Sequence, residues 1–495
     1  MNLLRFSALA LAVCLGAPGT HADSGSLQPQ IQKIVGEVSE NRIRSTIARL
    51  VSFGTRNTLS SQDDPDRGIG AARKWIFQEL QSYSPRLQVR YDHWRVKKQG
   101  QRIVKDIDLY NVIAVLPGKT NPEAQIVVSA HYDSLNLGTP AEPAPAAGER
   151  PVQSNWEKNI DLPAPGACDD ASGIAAVMEL ARVMSQYEFE KTLVFIAFAG
   201  EEQGLVGSTL EAARAKQENR IVEAMLNNDI IGTEVSGDGR TGNSAVAVYG
   251  DDVLDSPAQQ LARYVHTIGQ LYLPQMSVNA IYMQDRLGRG GDHSPFQQEG
   301  YPAVRLSTPN EILANQHHAT DTLENMSVPY TASVARVNAA AAASLALAPR
   351  TPDIMNQPRG DRDGGGAAPA GAGPGAPPAA NRRLPMISRG AGYDAVLRWR
   401  AAGSDANLKG YAIVMRATTS PFWEREIYVG NVTEYTLPDM SIDDVVIGVR
   451  AIDKDGNPSL VSAYVMAPTR LIEATPPATQ QRPPATGGAA GGGGQ

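Results

Sequence analysis

Between residues 70 and 83, apolar residues recur at helical spacing: Ala71, Trp75, Leu80 and Tyr83. That period predicts a helix. Residues 125–130, QIVVSA, form a short apolar run of the kind expected for a strand covered on both faces. Helical spacing returns over 174–187, at Ile174, Val177, Met178 and Ala181, followed by a second buried strand at 192–199, TLVFIAFA. Residues 302–307 read as one more strand. Strand and helix in alternation predict an α/β domain, with a mostly parallel sheet covered by helices on both faces. In such sheets ligands gather where strands end.

The pattern changes after about residue 348. Residues 349–381, with GAGPGAPPAA, are too rich in Gly, Pro and Ala to bury a core, so they read as a linker. Beyond it apolar residues alternate at period two: Leu397 and Trp399; Tyr411, Ile413 and Met415; Val445, Ile447, Val449 and Ala451. Alternation without helical signals predicts a small all-β sandwich over 382–470. Residues 471–495 return to Pro, Ala and Gly and read as a disordered tail. Few contacts are expected across a Gly/Pro-rich linker. The first part, 23–348, is therefore expected to fold without the sandwich.

The other end of the chain reads as an export signal. Arg5 precedes the apolar stretch 6–17, FSALALAVCLGA, and Thr20-His21-Ala22 offers a cleavage site after Ala22. A secreted or periplasmic protein is expected. Cys14 raises lipid anchoring as an alternative. Removing residues 1–22 would leave one cysteine, Cys168, and hence no internal disulfide. No other apolar run is long enough to cross a bilayer.

The chain has 495 residues and a net charge of -7, with 42% hydrophobic and 20% charged residues. That is globular composition. Nucleic acid is excluded as a partner, because phosphate binding needs clustered Lys and Arg.

The chemistry lies in five short segments. SAHYDS at 129–134 puts His131 and Asp133 after a buried strand. Residues two apart on a strand point the same way, so Asp133 could hold one imidazole nitrogen and leave the other for a metal. Ordinary loop hydrogen bonds are the alternative. GACDDASG at 166–173 opens the second helix. Asp169 and Asp170 there suit either helix capping or a carboxylate bridging two cations. FAGEEQGLVGS at 198–208 places Glu201 and Glu202 directly after a strand. Adjacent carboxylates repel unless cations or protons offset them, which suggests one ligand and one base. LNNDIIG contributes Asp229, and QHHATDT contributes His317, His318 and Asp321. Together these donors suit zinc, with enough ligands for two ions and one glutamate to spare.

In that order, the H-x-D, DDxSG, GEExGLxGS, single-Asp and HxxxDT segments resemble the zinc exopeptidases typified by bacterial leucyl aminopeptidases. Glutamate carboxypeptidase II and glutaminyl cyclase are relatives, and the resemblance spans residues 50–345. It implies a two-zinc metallopeptidase. His131, Asp169, Glu202, Asp229 and His317 would be the metal ligands, with Asp169 bridging. Glu201 would be the general base, and Asp133 would steady His131. The family's four-residue offset to the Asp of the DT pair selects His317 over His318. An aminopeptidase is the first expectation; a single-zinc glutaminyl cyclase and a carboxypeptidase are the alternatives. GRGGDHSPF at 288–296 resembles a family loop lining the substrate cleft, so Asp292 and His293 either touch substrate, support the metal shell or serve a structural turn. The Pro-rich stretch 135–165 could be a flap or a surface insertion. The later β region resembles a fibronectin type III domain through Trp399, the Tyr411 strand and GVRAIDKDGNPS at 448–459.

Overall fold

The computed structural model describes residues 27–138, 156–241, 244–286, 289–354, 387–403, 405–440 and 444–465. The export signal, Cys14, residues 139–155 of the Pro-rich stretch, most of the linker and the tail lie outside them.

Three helices open the chain: α1 (Pro29–Gly36), α2 (Glu40–Ser52) and α3 (Gly68–Tyr83). There follow β1 (Gln88–Val96), β2 (Ile107–Leu116), β3 (Asn121–His131), α4 (Ser172–Met184), β4 (Lys191–Phe198), α5 (Val206–Gln217) and β5 (Ile221–Asn228). The catalytic part continues with β6 (Ala245–Tyr249), α6 (Pro257–Tyr272), β7 (Ser277–Ile281), α7 (His293–Gln298), β8 (Ala303–Ser307) and α8 (Val328–Leu347). The eight strands form one sheet in the order β1-β2-β4-β3-β5-β8-β6-β7. Pairings β3–β4, β3–β5, β5–β8 and β6–β7 are parallel; the rest are antiparallel.

The expected helix at 70–83 and the expected strands at 125–130, 192–199 and 302–307 all form. Every residue of β4 is buried, because both faces of the sheet are covered. Leu193, Phe195 and Ala197 face the larger core with α2, α4, α6 and α8, while Val194, Ile196 and Phe198 face a smaller one with α5 and α7. Serines start three helices: Ser39, Ser256 and Ser327 accept from the backbone N–H of Arg42, Gln259 and Tyr330. Helix α8 carries the fully buried run Ala339–Ala343, whose small side chains let it pass close to its neighbours.

The later region is a β-sandwich. One sheet holds β9 (Ile387–Arg389), β10 (Ala395–Arg398) and β13 (Glu434–Leu437). The other holds β11 (Leu408–Ala417), β12 (Arg425–Gly430), β14 (Val445–Asp453) and β15 (Ser462–Ala463). Trp399 meets Tyr411 edge-on at 5.5 Å in its core, beside Ile413, Met415, Ile447 and Val449.

The expectation of few contacts between the two parts is corrected. The described residues through Tyr464 belong to one compact unit. Asp255, before α6, meets Arg263 at 3.0 Å and Arg416 of β11 at 2.6 Å, all buried. Tyr264 donates to Pro458 O, Ser462 to Pro352 O, and Leu460 joins the catalytic core. Linker composition reports on the linker alone. It is silent about two surfaces built from distant segments, so it could not reveal this joint.

Candidate metal centre

Adjacent parallel strands β4, β3 and β5 deliver their carboxyl ends to one spot. His131 is the last residue of β3 and lies opposite Phe198 of β4. Glu201 and Glu202 follow β4, and Asp229 follows β5. Asp169 sits in the turn before α4, and His317 in the loop after β8. With Asp133, which accepts from the backbone of Glu201 and Glu202, all seven residues given roles from the sequence converge here.

Asp169 faces both histidines. His131 Nε2 is 3.1 Å from its Oδ1, and His317 Nε2 is 3.2 Å from its Oδ2. Asp229 Oδ1 stands 3.7 Å from His131 Nε2, and Glu202 Oε2 stands 3.1 Å from His317 Nε2. Zinc held tetrahedrally at about 2.0–2.2 Å keeps its ligand atoms roughly 3.3 Å apart. The spacings bracket that edge. Donor atoms of Asp169, Glu202 and His317 form one close group; His131 forms others with Asp170 and Asp229, and with Glu201 and Glu202. Glu202 Oε1 is buried without a hydrogen-bond partner among the described residues. Imidazole and carboxylate donors, this spacing and that orphaned oxygen fit zinc.

The electrostatics agree. Burial works to lower the His317 pKa, yet Glu202 and Asp169 raise it to about 11. Burial raises Glu201 well above the usual carboxylate range, and Asp229, Glu202 and Asp292 add to it against His131. A pocket that loads its groups with protons is one short of positive charge.

Surrounding groups fix the donors. Asp133 Oδ2 accepts from Thr58 Oγ1 at 2.8 Å and Glu202 N at 3.3 Å, while Oδ1 accepts from Glu201 N at 3.3 Å. It thus orders the Glu-Glu turn. Its carboxylate is 3.6 Å from His131 Nδ1, whereas its own carbonyl is closer, at 3.2 Å. The expected contact is therefore made chiefly through the backbone. Asp321 accepts from Cys168 N at 2.8 Å and Asp169 N at 3.0 Å, presenting the Asp169 side chain. Asp170 Oδ1 accepts from Gly173 N at 2.9 Å and Ile230 N at 3.3 Å, which ties the start of α4 to the end of β5. A Cβ at Gly173 would meet Asp170 Oδ2 at 2.4 Å, so that approach needs glycine.

His317 has φ +58, a left-handed conformation that costs a non-glycine residue of order 1–3 kcal/mol and persists only where the surroundings impose it. The His318 side chain has no partner among the described residues. Asp292 is fully buried, and burial raises it to about 7. His293 is buried too, 2.7 Å from Gln284 O, with burial lowering it to about 4. Both lie inside the fold. Cys168 is a buried free thiol whose pKa burial raises, as expected for a small packed residue.

Three contributors escaped the sequence reading. Arg56, fully buried, donates to the carbonyls of Tyr132, Pro165 and Gly166 at 2.7, 2.6 and 2.9 Å, binding the His131 strand end to the Asp169 turn. Arg305 of β8, 1% exposed, pairs with Asp229 at 3.2 Å and Asp285 at 2.5 Å. Gln316 donates to Asp169 Oδ2 at 2.9 Å. Arg305 had a signal, being a lone charge within an apolar strand, AVRLS. Arg56 and Gln316 had none.

Residues 111–342 match the model of a family described as peptidase family M28. A probable zinc metalloprotease of Pyricularia oryzae is 36% identical over 464 residues, covering 86% of this chain and 82% of its own. Another, of Pyrenophora tritici-repentis, is 34% identical over 463 residues, covering 86% of this chain and 95% of its own. The LapA aminopeptidase of Legionella pneumophila superposes with a TM-score of 0.49 at 18% identity, over 66% of this chain and 77% of that one. On the family model and on relatives matched over most of their length, this chain belongs to peptidase family M28.

Proposed function

We propose that the protein is a zinc exopeptidase holding two zinc ions and trimming residues from the amino terminus of peptides. The observation that carries the two-metal reading is Asp169, with one oxygen toward His131 and the other toward His317. His131 and Asp229 would hold one ion, His317 and Glu202 the other, with Asp169 shared. Bound there, zinc supplies Lewis acidity, acidifying water and polarising the scissile carbonyl.

The chain's own residues supply the rest. Glu201 is partly exposed and has no ligand role in this scheme. It takes a proton from the attacking water and passes it to the leaving amine. Asp133 holds the backbone of Glu201 and Glu202, so base and ligand keep their relative positions. Arg305 offsets the charge on Asp229 and fixes its angle. Amino-terminal specificity follows the likeness of the motifs to those of leucyl aminopeptidases. Export is proposed from the first 22 residues.

The test is a panel of amino-terminal and carboxy-terminal chromogenic peptides, with and without a chelator, plus elemental analysis. Chelator-sensitive release from free amino termini, with two zinc ions per chain, is expected. Release only from carboxyl termini would reverse the specificity. One zinc with cyclisation of amino-terminal glutamine would favour glutaminyl cyclase.

A further inference from the structure

The sandwich touches the catalytic part through a short loop between β11 and β12, Pro421–Trp423. Pro421 O accepts two hydrogen bonds, from Arg263 Nε of α6 and from Tyr282 OH just after β7, both at 2.7 Å. Phe422 stacks on His266 of α6 at 4.1 Å. Trp423 Nε1 donates to Gln260 Oε1 at 3.1 Å, and the Arg263 guanidinium lies 4.6 Å over the Tyr282 ring. Tyr282 is therefore pinned against the sandwich.

From Tyr282 a chain of charge pairs leads to the metal centre. Asp285, three residues on, pairs with Arg305, which pairs with Asp229. Arg286 holds Asp285 at 3.0 Å and also grips Glu311. Arg289 reaches Glu311 Oε1 and Gln316 Oε1, each at 3.3 Å. Glu311, Ile312, Asn315 and Gln316 form one wall of a small cleft that Asp169 and Cys168 also line. That wall belongs to a loop with no regular ladder of its own, apart from an isolated bridge between Ser236 and Glu311. Its position depends on the side chains that hold it.

We propose that the Pro421–Trp423 loop is a positioning element of the substrate pocket. Through Tyr282, Asp285 and Arg286 it fixes the Glu311–Gln316 wall beside Asp169. The sandwich is thereby a structural part of the active site rather than a tethered appendage. The inference rests on the pocket being where substrate binds, as in the function proposed above.

The test uses the full chain. Tyr282→Phe deletes only the hydroxyl that reaches Pro421. Ser462→Ala is the control, since it deletes a different hydrogen bond of the sandwich, to Pro352 O in the segment after α8, at 2.6 Å. Tyr282→Phe should speed backbone hydrogen exchange across residues 305–316 and raise KM for a small peptide about 3–10-fold, with kcat within about twofold and zinc content unchanged. Phe422→Ala should act in the same sense. Ser462→Ala should do neither. Equal exchange across 305–316 in Tyr282→Phe and Ser462→Ala would overturn the linkage, whatever the reaction proves to be. Faster exchange with an unchanged KM would overturn the pocket role. If no peptide is turned over by the native protein, the exchange comparison still decides the linkage, and only the proposed function fails.

Discussion

Two of the buried charge clusters among the described residues are weighted in opposite senses. Around His131 the carboxylates of Asp133, Asp169, Asp170, Asp229, Glu201 and Glu202 crowd against two histidines and Arg305. Around Asp255 a single carboxylate meets two arginines, Arg263 and Arg416, at the joint between catalytic part and sandwich. The first knot has negative charge to spare, which burial converts into raised pKa values at Asp170, Glu201 and Glu202. The second has its carboxylate fully met, with Arg416 also donating to the Ala417 and Ser420 carbonyls. An excess of buried negative charge invites a cation from outside; a carboxylate held between two arginines offers a cation no place and only holds surfaces together. The contrast separates a reactive site from a structural one without appeal to motif.

The sharpest way to break that contrast is to neutralise one group in each knot. At the candidate metal centre, Glu201→Gln keeps the proposed ligands and removes the proposed base. Turnover should fall about 10²–10⁴-fold while elemental analysis still finds zinc. Near-normal kcat in the purified variant would remove Glu201 from its role. At the joint, Arg416→Met should leave Asp255 with Arg263 alone and cost about 1.5–3 kcal/mol of stability, read from denaturant midpoints. A chain ended near Pro349 removes the whole joint, exposes the α6 surface that Phe422 and Trp423 cover, and should be insoluble or unfolded. A soluble, active truncation would restore the picture of a flexibly linked sandwich.

Arg305 connects the negative knot to its surroundings, so its replacement should matter less than loss of the base. Arg305→Lys keeps a charge but cannot fork between Asp229 and Asp285. Zinc affinity, measured by competition with a chelator, should fall about 10–100-fold, as for other groups that orient a metal ligand. An unchanged affinity would mean that Asp229 holds its angle without help.

What could be read from the sequence follows from the range of each interaction. The buried strands and the α3 and α4 helices are local patterns, and they formed as read. The residues proposed for the site could be brought together from the sequence because each is anchored to a strand end or helix start that the pattern also marks: His131 to β3, Glu201 and Glu202 to β4, Asp229 to β5. Arg56 was invisible because it works through carbonyls of Tyr132, Pro165 and Gly166, far along the chain, and backbone acceptors leave no trace in composition. The joint was invisible for the same reason. Pro421, Phe422 and Trp423 look like any turn until the α6 face is placed opposite them.

The smallest expected effect lies at a neighbouring pair of histidines, and it tests whether membership of the negative knot depends on geometry rather than on residue type. His317 and His318 have the same chemistry and adjacent positions. The left-handed turn at His317, φ +58, sends its ring to Asp169 and Glu202 at 3.2 and 3.1 Å. His318 contributes a backbone N–H to Asn315 O at 3.2 Å, which an alanine supplies equally well. His318→Ala should therefore keep zinc content, and kcat/KM should stay within about twofold, the range of a surface change away from any special feature. His317→Ala should lose zinc and with it activity. Replacing His317 by Asn, which tolerates the left-handed backbone, separates strain from ligation: stability should hold while zinc is still lost. Zinc lost from His318→Ala and retained in His317→Ala would exchange their places, and the loop after β8 would have to be rebuilt around the other ring.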